Sequence, residues 1–230
     1  MSTPLLLLPG LLCDAAVWAP LGLDGQVVAY GRADSLTAMA QIALGAAPPG
    51  PLAVAGHSMG GRVAFEMLRL APERIERLAL LDTGCHPLPP GEAGDKERAG
   101  RHALRDLARR DGMRAMARQW ALGMVHPSRV DTPVFEAVLD MLARHDVTTF
   151  EAQIHALLTR PDATPLLAQI ACPTLLLTGA QDGWSSPAQH RAMHKAVAGS
   201  QLVVVPDSGH MSTMEAPAAV AAALQQWRAV

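Results

Sequence analysis

Three residues stand where an acyl-transfer reaction would need them. Ser58 lies in Gly56-His57-Ser58-Met59-Gly60-Gly61, straight after the apolar run Leu52-Ala53-Val54-Ala55 and straight before residues at helical spacing. On so sharp a strand-to-helix turn a serine hydroxyl projects clear of both elements. Glycines two residues to either side, Gly56 and Gly60, remove the Cβ atoms that would collide across it. A hydroxyl becomes an effective nucleophile only when a base takes its proton, and the base needs a third group to orient it. His210 follows the apolar run Gln201 to Val205, and Asp182 follows the run Thr174 to Thr178. Each side chain is of the required type.

Rival roles attach to the same stretches. Gly56 to Gly61 has the glycine separation of a phosphate-binding loop, but Arg62 and Val63 follow where Lys and Ser or Thr belong. An arginine can meet phosphate, whereas a valine cannot ligate Mg²⁺. Asp82 closes the strand after the Ser58 helix and is an alternative acid, and Asp207 is too near His210 in sequence to reach around its ring and reads as a turn residue. His57 reads as a packing residue beneath the serine. His190 and His194, one helical turn apart with no Glu between them, read as surface residues and not as a metal pair.

The elements that must position these groups alternate at first. Pro4 to Leu8, Gln26 to Tyr30, Leu52 onward and Arg77 to Leu81 read as strands, and Ser35 to Leu44 and the stretch after Ser58 read as helices. Apolar strands alternating with helices indicate an α/β fold with a buried, mostly parallel central sheet flanked by helices. From His86 to about Pro165 the strand signal stops. Helices are expected over 95–110, 113–124, 132–144 and 149–159, with Met116, Trp120 and Met124 on one face. This segment reads as a helical cap inserted between two strands. The domains are therefore a core of 1–85 and 166–230 and a cap of 86–165. The α/β pattern then resumes with Thr174 to Thr178, a helix opened by Ser186-Pro187-Ala188-Gln189 and ending near Gly199, Gln201 to Val205, and a final helix from about Ala216-Pro217.

Composition narrows the function classes. The 230 residues are 50% hydrophobic with a formal net charge of −2, which points to no nucleic-acid or acidic partner. Leu5 to Leu8 is preceded by no Lys or Arg and is broken by Pro9-Gly10, so it is not read as a leader, and no stretch is apolar enough to span a bilayer. Cys13, Cys85 and Cys172 fit neither a disulfide framework nor a zinc pattern and suit the reducing cytoplasm as small core residues.

The chain order Ser58, Asp182, His210, with Gly179-Ala180-Gln181-Asp182 and Gly209-His210, resembles the α/β-hydrolase superfamily over nearly the whole chain, and within it the small capped esterases and lactonases. The resemblance implies that Ser58 attacks an ester or lactone carbonyl, His210 moves the proton and Asp182 orients His210. The backbone N–H of Met59 would be one oxyanion donor. The other would be that of Leu11, in Pro9-Gly10-Leu11, where relatives commonly carry His-Gly. It further implies no metal or organic cofactor, a small-molecule substrate, and a chain that starts at the family's third strand. Carbon–carbon bond hydrolysis, thioester hydrolysis, acyl transfer and perhydrolysis use the same groups. A non-catalytic ligand-binding receptor and a protein-interaction role through the cap are readings of other classes.

Overall fold

A computed structural model describes residues 3–229. Six strands form one sheet: β1 (Leu5–Leu8), β2 (Gln26–Val27), β3 (Leu52–His57), β4 (Ile75–Leu81), β5 (Thr174–Gly179) and β6 (Gln201–Val205). Their order is β2-β1-β3-β4-β5-β6 and every pairing is parallel. Parallel strands need long crossovers, and the apolar runs Leu5–Leu8 and Leu52–His57 are buried throughout because helices cover both faces of such a sheet. From β1 the chain winds outward to β2, then returns to the other side of β1 for β3 and winds the opposite way. The reversal between β1 and β3 opens a crevice beyond their carboxyl ends, where ligands bind in open α/β sheets. Pro9-Gly10-Leu11 and Ser58 occupy those two ends.

The helices α1 (Leu36–Ala46) and α2 (Met59–Leu70) pack against each other, and α2 also lies on β1, β3 and β4. Ser35 caps α1 by accepting the Ala38 N–H at 3.2 Å, a contact of the kind that contributes about 1 kcal/mol. Between β4 and β5 run α3 (Glu92–Asp111), α4 (Met113–Ala121), α5 (Pro133–Ala143) and α6 (Val147–Leu158). Phe135, Val138, Leu139 and Leu142 of α5 and Phe150, Ile154 and Leu157 of α6 are buried, so this segment has an apolar interior of its own. Arg160 clamps the segment's two ends together by gripping Glu97 through both guanidinium arms, at 2.7 and 2.8 Å, and Arg144 ties it to the loop after β1 by gripping Asp14 at 2.9 and 3.0 Å. After β5 come α7 (Pro187–Ala196), β6, the single turn α8 (Ser212–Glu215) and α9 (Pro217–Ala229).

Several boundaries differ from expectation: β4 starts at Ile75 and not Arg77, α3 at Glu92 and not 95, and α4 stops at Ala121 and not 124, and two further differences have a visible cause. The second strand pairs over only two residues, Gln26 and Val27, not to Tyr30. Its partner β1 is four residues long and ends at Leu8, and the carbonyl of the next residue, Pro9, accepts the Tyr30 hydroxyl at 3.2 Å, so the chain is held there by a side chain and not by a ladder. Helix α7 has the expected Ser186–Gln189 capping box but stops at Ala196, where Val197 turns extended ahead of Gly199 at φ +70°.

Candidate active site

Ser58 occupies the turn between β3 and α2 at φ 54° and ψ −116°, a conformation that L residues avoid. The surroundings enforce it. A Cβ on Gly60 would run into the Leu8 carbonyl, and one on Gly56 into that of Gly60. The Ser58 N–H donates to the Leu81 carbonyl at 2.9 Å, and the Thr83 hydroxyl donates to the Ser58 carbonyl at 2.7 Å.

The other two groups arrive from the ends of β5 and β6. His210 Nε2 lies 2.8 Å from Ser58 Oγ, and its Nδ1 lies 2.8 Å from Asp182 Oδ2. A carboxylate can only accept, so Nδ1 carries the hydrogen and Nε2 presents its lone pair to the serine hydroxyl. The second Asp182 oxygen accepts the amides of Trp184 and Ser185 at 2.8 and 2.9 Å. Burial alone would raise the Asp182 carboxyl, but facing His210 and these amides bring it down to about 2. Burial likewise opposes charge on His210, yet Asp182 outweighs it and holds the imidazole above its ordinary 6.5.

Asp82, the alternative acid, turns elsewhere. It accepts the Gly179 N–H at 3.0 Å and the Ser212 hydroxyl, and burial followed by repulsion from Asp182 pushes its carboxyl up. His57 donates from Nε2 to the His210 carbonyl at 2.9 Å, and burial first and His210 second lower it to about 4, so it stays neutral. Its 3.6 Å approach to Asp82 is accordingly neither an ion pair nor a hydrogen bond.

Two positioning residues escaped the sequence reading. Glu215 accepts the N–H groups of Gly209 at 3.0 Å, Met211 at 3.1 Å and His126 at 2.7 Å, so one buried carboxylate holds the His210 loop. Gln153 of α6 accepts the Leu12 N–H at 2.8 Å, beside a backbone held at φ 55°. In sequence its only mark is a polar residue among Phe150, Ile154 and Leu157. The expectation that His190 and His194 are surface residues is corrected for His190, which is fully buried with its Nδ1 3.2 Å from the carbonyl of Ser186, the N-cap of α7, while His194 is half-buried. Among the described residues no three His, Cys, Asp or Glu side chains are grouped to hold a metal ion, and no helix is long and apolar enough to cross a membrane.

All of this opens into a cavity of about 720 Å³ beneath α3, α4 and α6. Leu11 and Met59 line it beside Ser58, and among the described residues neither backbone N–H donates a hydrogen bond. Trp184 stacks on Trp120 at 5.7 Å between ring centroids and stands 4.9 Å from the His210 ring.

The sequence model of a family described as "alpha/beta hydrolase fold" matches residues 26–217. A putative 2-succinyl-6-hydroxy-2,4-cyclohexadiene-1-carboxylate synthase of Bacillus subtilis is 26% identical over 166 residues, covering 70% of this chain and 60% of that protein. A 2-hydroxy-6-oxononadienedioate/2-hydroxy-6-oxononatrienedioate hydrolase of Klebsiella pneumoniae is 27% identical over 166 residues, covering 70% of this chain and 56% of that protein. The chain thus matches less than two thirds of the length of these curated relatives. The solved structure of a thermophilic esterase from Thermogutta terrifontis superimposes with a TM-score of 0.85 at 29% identity, covering 99% of this chain and 89% of that one.

Proposed function

We propose that this chain, which belongs to the alpha/beta hydrolase fold family, is an enzyme that hydrolyses carboxylic esters or lactones of small molecules through an acyl-serine intermediate. The observation that carries the reading is the relay Ser58 Oγ, His210 Nε2, His210 Nδ1, Asp182 Oδ2. Both links are 2.8 Å, and it opens into a ligand-sized cavity.

Ser58 Oγ attacks the carbonyl carbon as its proton passes to His210 Nε2, and Asp182 stabilises the imidazolium that forms. The N–H groups of Leu11 and Met59 donate to the tetrahedral oxyanion; the Met59 amide also opens α2, where the helix end favours negative charge. His210 returns the proton to the departing alkoxide, and a water then repeats the sequence to free the acid. Each step uses protein side chains, amides and water. Residues 86–165 act as the cap that keeps bulk water from the acyl-enzyme, over a core of 1–85 and 166–230. A carbon–carbon bond hydrolase on the same three groups is the second reading, favoured by the similarity to the Klebsiella hydrolase.

The test is a panel of p-nitrophenyl acetate, butyrate and octanoate together with a fluorophosphonate probe. Burst release of nitrophenolate and stoichiometric labelling of Ser58 are expected, with the shorter esters preferred. A protein that releases nitrophenolate while Ser58 stays unlabelled would sink the reading.

Gln153→Met supplies a second test. It keeps the side-chain length but leaves the Leu12 N–H buried and unpaired, at a cost of about 1–3 kcal/mol. For a domain this size that lowers Tm by about 2–4 °C per kcal/mol. The loop also carries the Leu11 donor, so kcat should fall by about ten- to a hundredfold with KM little changed. Loss of Tm without loss of kcat would confine Gln153 to folding.

A further inference from the structure

The cavity has two unlike ends. Around His210 its wall is apolar, formed by Trp120, Trp184, Met124, Phe150 and Ile154. Along α2 and α3 it is basic: Arg62, Lys96, Arg101 and Arg160 line it, with Glu97 as the only carboxylate among the lining residues. That single carboxylate is shared. Arg160 holds both its oxygens, and Arg101 approaches the same group at 2.9 Å.

Arg62 is left without a direct carboxylate partner, and Glu97 only partly offsets its neighbours' positive charge. Among the described residues no carboxylate lies within 4.0 Å of it or of Lys96. One arm of Arg62 is fixed by donating to the His86 carbonyl at 2.8 Å, and Gly84, which has no side chain, leaves the other arm room. Burial first, then repulsion from Arg160 and Arg101, lowers the Arg62 guanidinium to about 9. Arg62 is half-buried in the cleft, so a cation held there among other cations is stabilised by an anion that reaches it from the cavity. Arg62 is in the opening of α2, the helix that Ser58 precedes as N-cap, and about 6 Å of helix axis separates the two positions, so an anion there belongs to the molecule whose carbonyl reaches Ser58.

We propose that Arg62, with Lys96 and Arg101, forms an anion-binding subsite that selects esters carrying a carboxylate or phosphate a short spacer away from the scissile carbonyl. The proposal rests on the hydrolase reading above and names its substrate class. Arg160 is excluded from the subsite because its arms are already committed to Glu97 and to the His86, Pro87 and Leu157 carbonyls.

The experiment compares matched ester pairs in a phosphate-free buffer. p-Nitrophenyl hydrogen glutarate is set against p-nitrophenyl valerate, placing the anion on the acyl side. 4-Carboxyphenyl butyrate is set against phenyl butyrate, placing it on the leaving group. In one pair the anionic ester should lead in kcat/KM by about ten- to a hundredfold, the range of a charged hydrogen bond. Arg62→Met should collapse that ratio by at least about tenfold, mainly through KM, Lys96→Met should lower it less, and Arg62→Lys should restore part of it.

Thermal shift separates the subsite from the chemistry. Inorganic phosphate and glutarate should raise Tm of the wild type and of Ser58→Ala, but not of Arg62→Met. Ester turnover with no anionic preference in either pair and no thermal protection would overturn the subsite and leave the hydrolase standing. Thermal protection lost in Arg62→Met, with no ester turned over by any form, would keep the subsite and overturn the hydrolase reading. If Arg62→Met does not fold, Lys96→Met and Arg62→Lys carry the comparison, and unchanged ratios in both overturn the proposal.

Discussion

Ser58→Ala is expected to lower kcat on p-nitrophenyl butyrate by about 10⁶-fold, the loss seen when the serine nucleophile alone is removed from another triad enzyme. The substitution deletes one atom and leaves the surroundings in place. The Leu81 carbonyl still receives the residue's N–H, and Thr83 still donates to its carbonyl. Alanine suffers the same steric conflict at φ 54° as serine, so Tm should move little and the rate loss reads chemistry. His210 Nε2 would then face the cavity with no hydroxyl to deprotonate. Activity left over should come from the Leu11 and Met59 amides and from substrate confinement, and should not be labelled by fluorophosphonate. Equal rates in the two proteins would remove Ser58 from the mechanism and with it the acyl-enzyme.

The groups that this experiment addresses are legible because they sit immediately beyond apolar runs. Leu52–His57, Thr174–Gly179 and Gln201–Val205 are short, largely apolar and bounded by Gly or Pro, so they read as strands, and the residue types just past each are visible without coordinates. The Ser186–Gln189 capping box is legible for the same reason: its two partners are three residues apart and bond only each other's backbone. The edge strand β2 resists reading because its length is set by its neighbour β1 and not by its own composition.

The supporting residues are hidden for a different reason. Gln153 meets Leu12 across 141 residues and Glu215 meets His126 across 89 residues, and no local period encodes such a meeting. Gln153 appears in sequence as one polar residue in an otherwise apolar face and Glu215 as one acid closing the short run Ser212-Thr213-Met214, patterns equally common where nothing is bound. His190 misleads in the opposite direction, since a polar ring on an amphipathic helix reads as exposed and is here buried. Arg62 was visible as an arginine near a glycine-rich turn, but its meaning depends on Glu97 being shared between Arg101 and Arg160, which only the folded chain shows.

The choice between the two buried acids has the sharpest expected contrast. Asp182→Asn should lower kcat by about 10⁴-fold, because an amide that donates to Nδ1 turns the imidazole to the wrong tautomer, with its hydrogen toward Ser58. The pH profile gives an independent reading. His210 must be neutral to act as a base, so kcat/KM falls as pH drops through its pKa. Because Asp182 holds that pKa above 6.5, the acid limb of the wild type should lie above pH 6.5. Removing the carboxylate leaves burial, which disfavours the imidazolium, largely unopposed, and the limb should move to lower pH even as the plateau falls. Asp82→Asn should behave otherwise. Asp82 binds the Gly179 N–H and the Ser212 hydroxyl and acts on His210 only through space, so its neutral replacement should cost within about tenfold. Profiles of the two variants from pH 5 to pH 9 decide the matter. A large loss and a shifted limb in Asp82→Asn, with Asp182→Asn near wild type, would transfer the orienting role to Asp82 and require His210 to turn from its present partner.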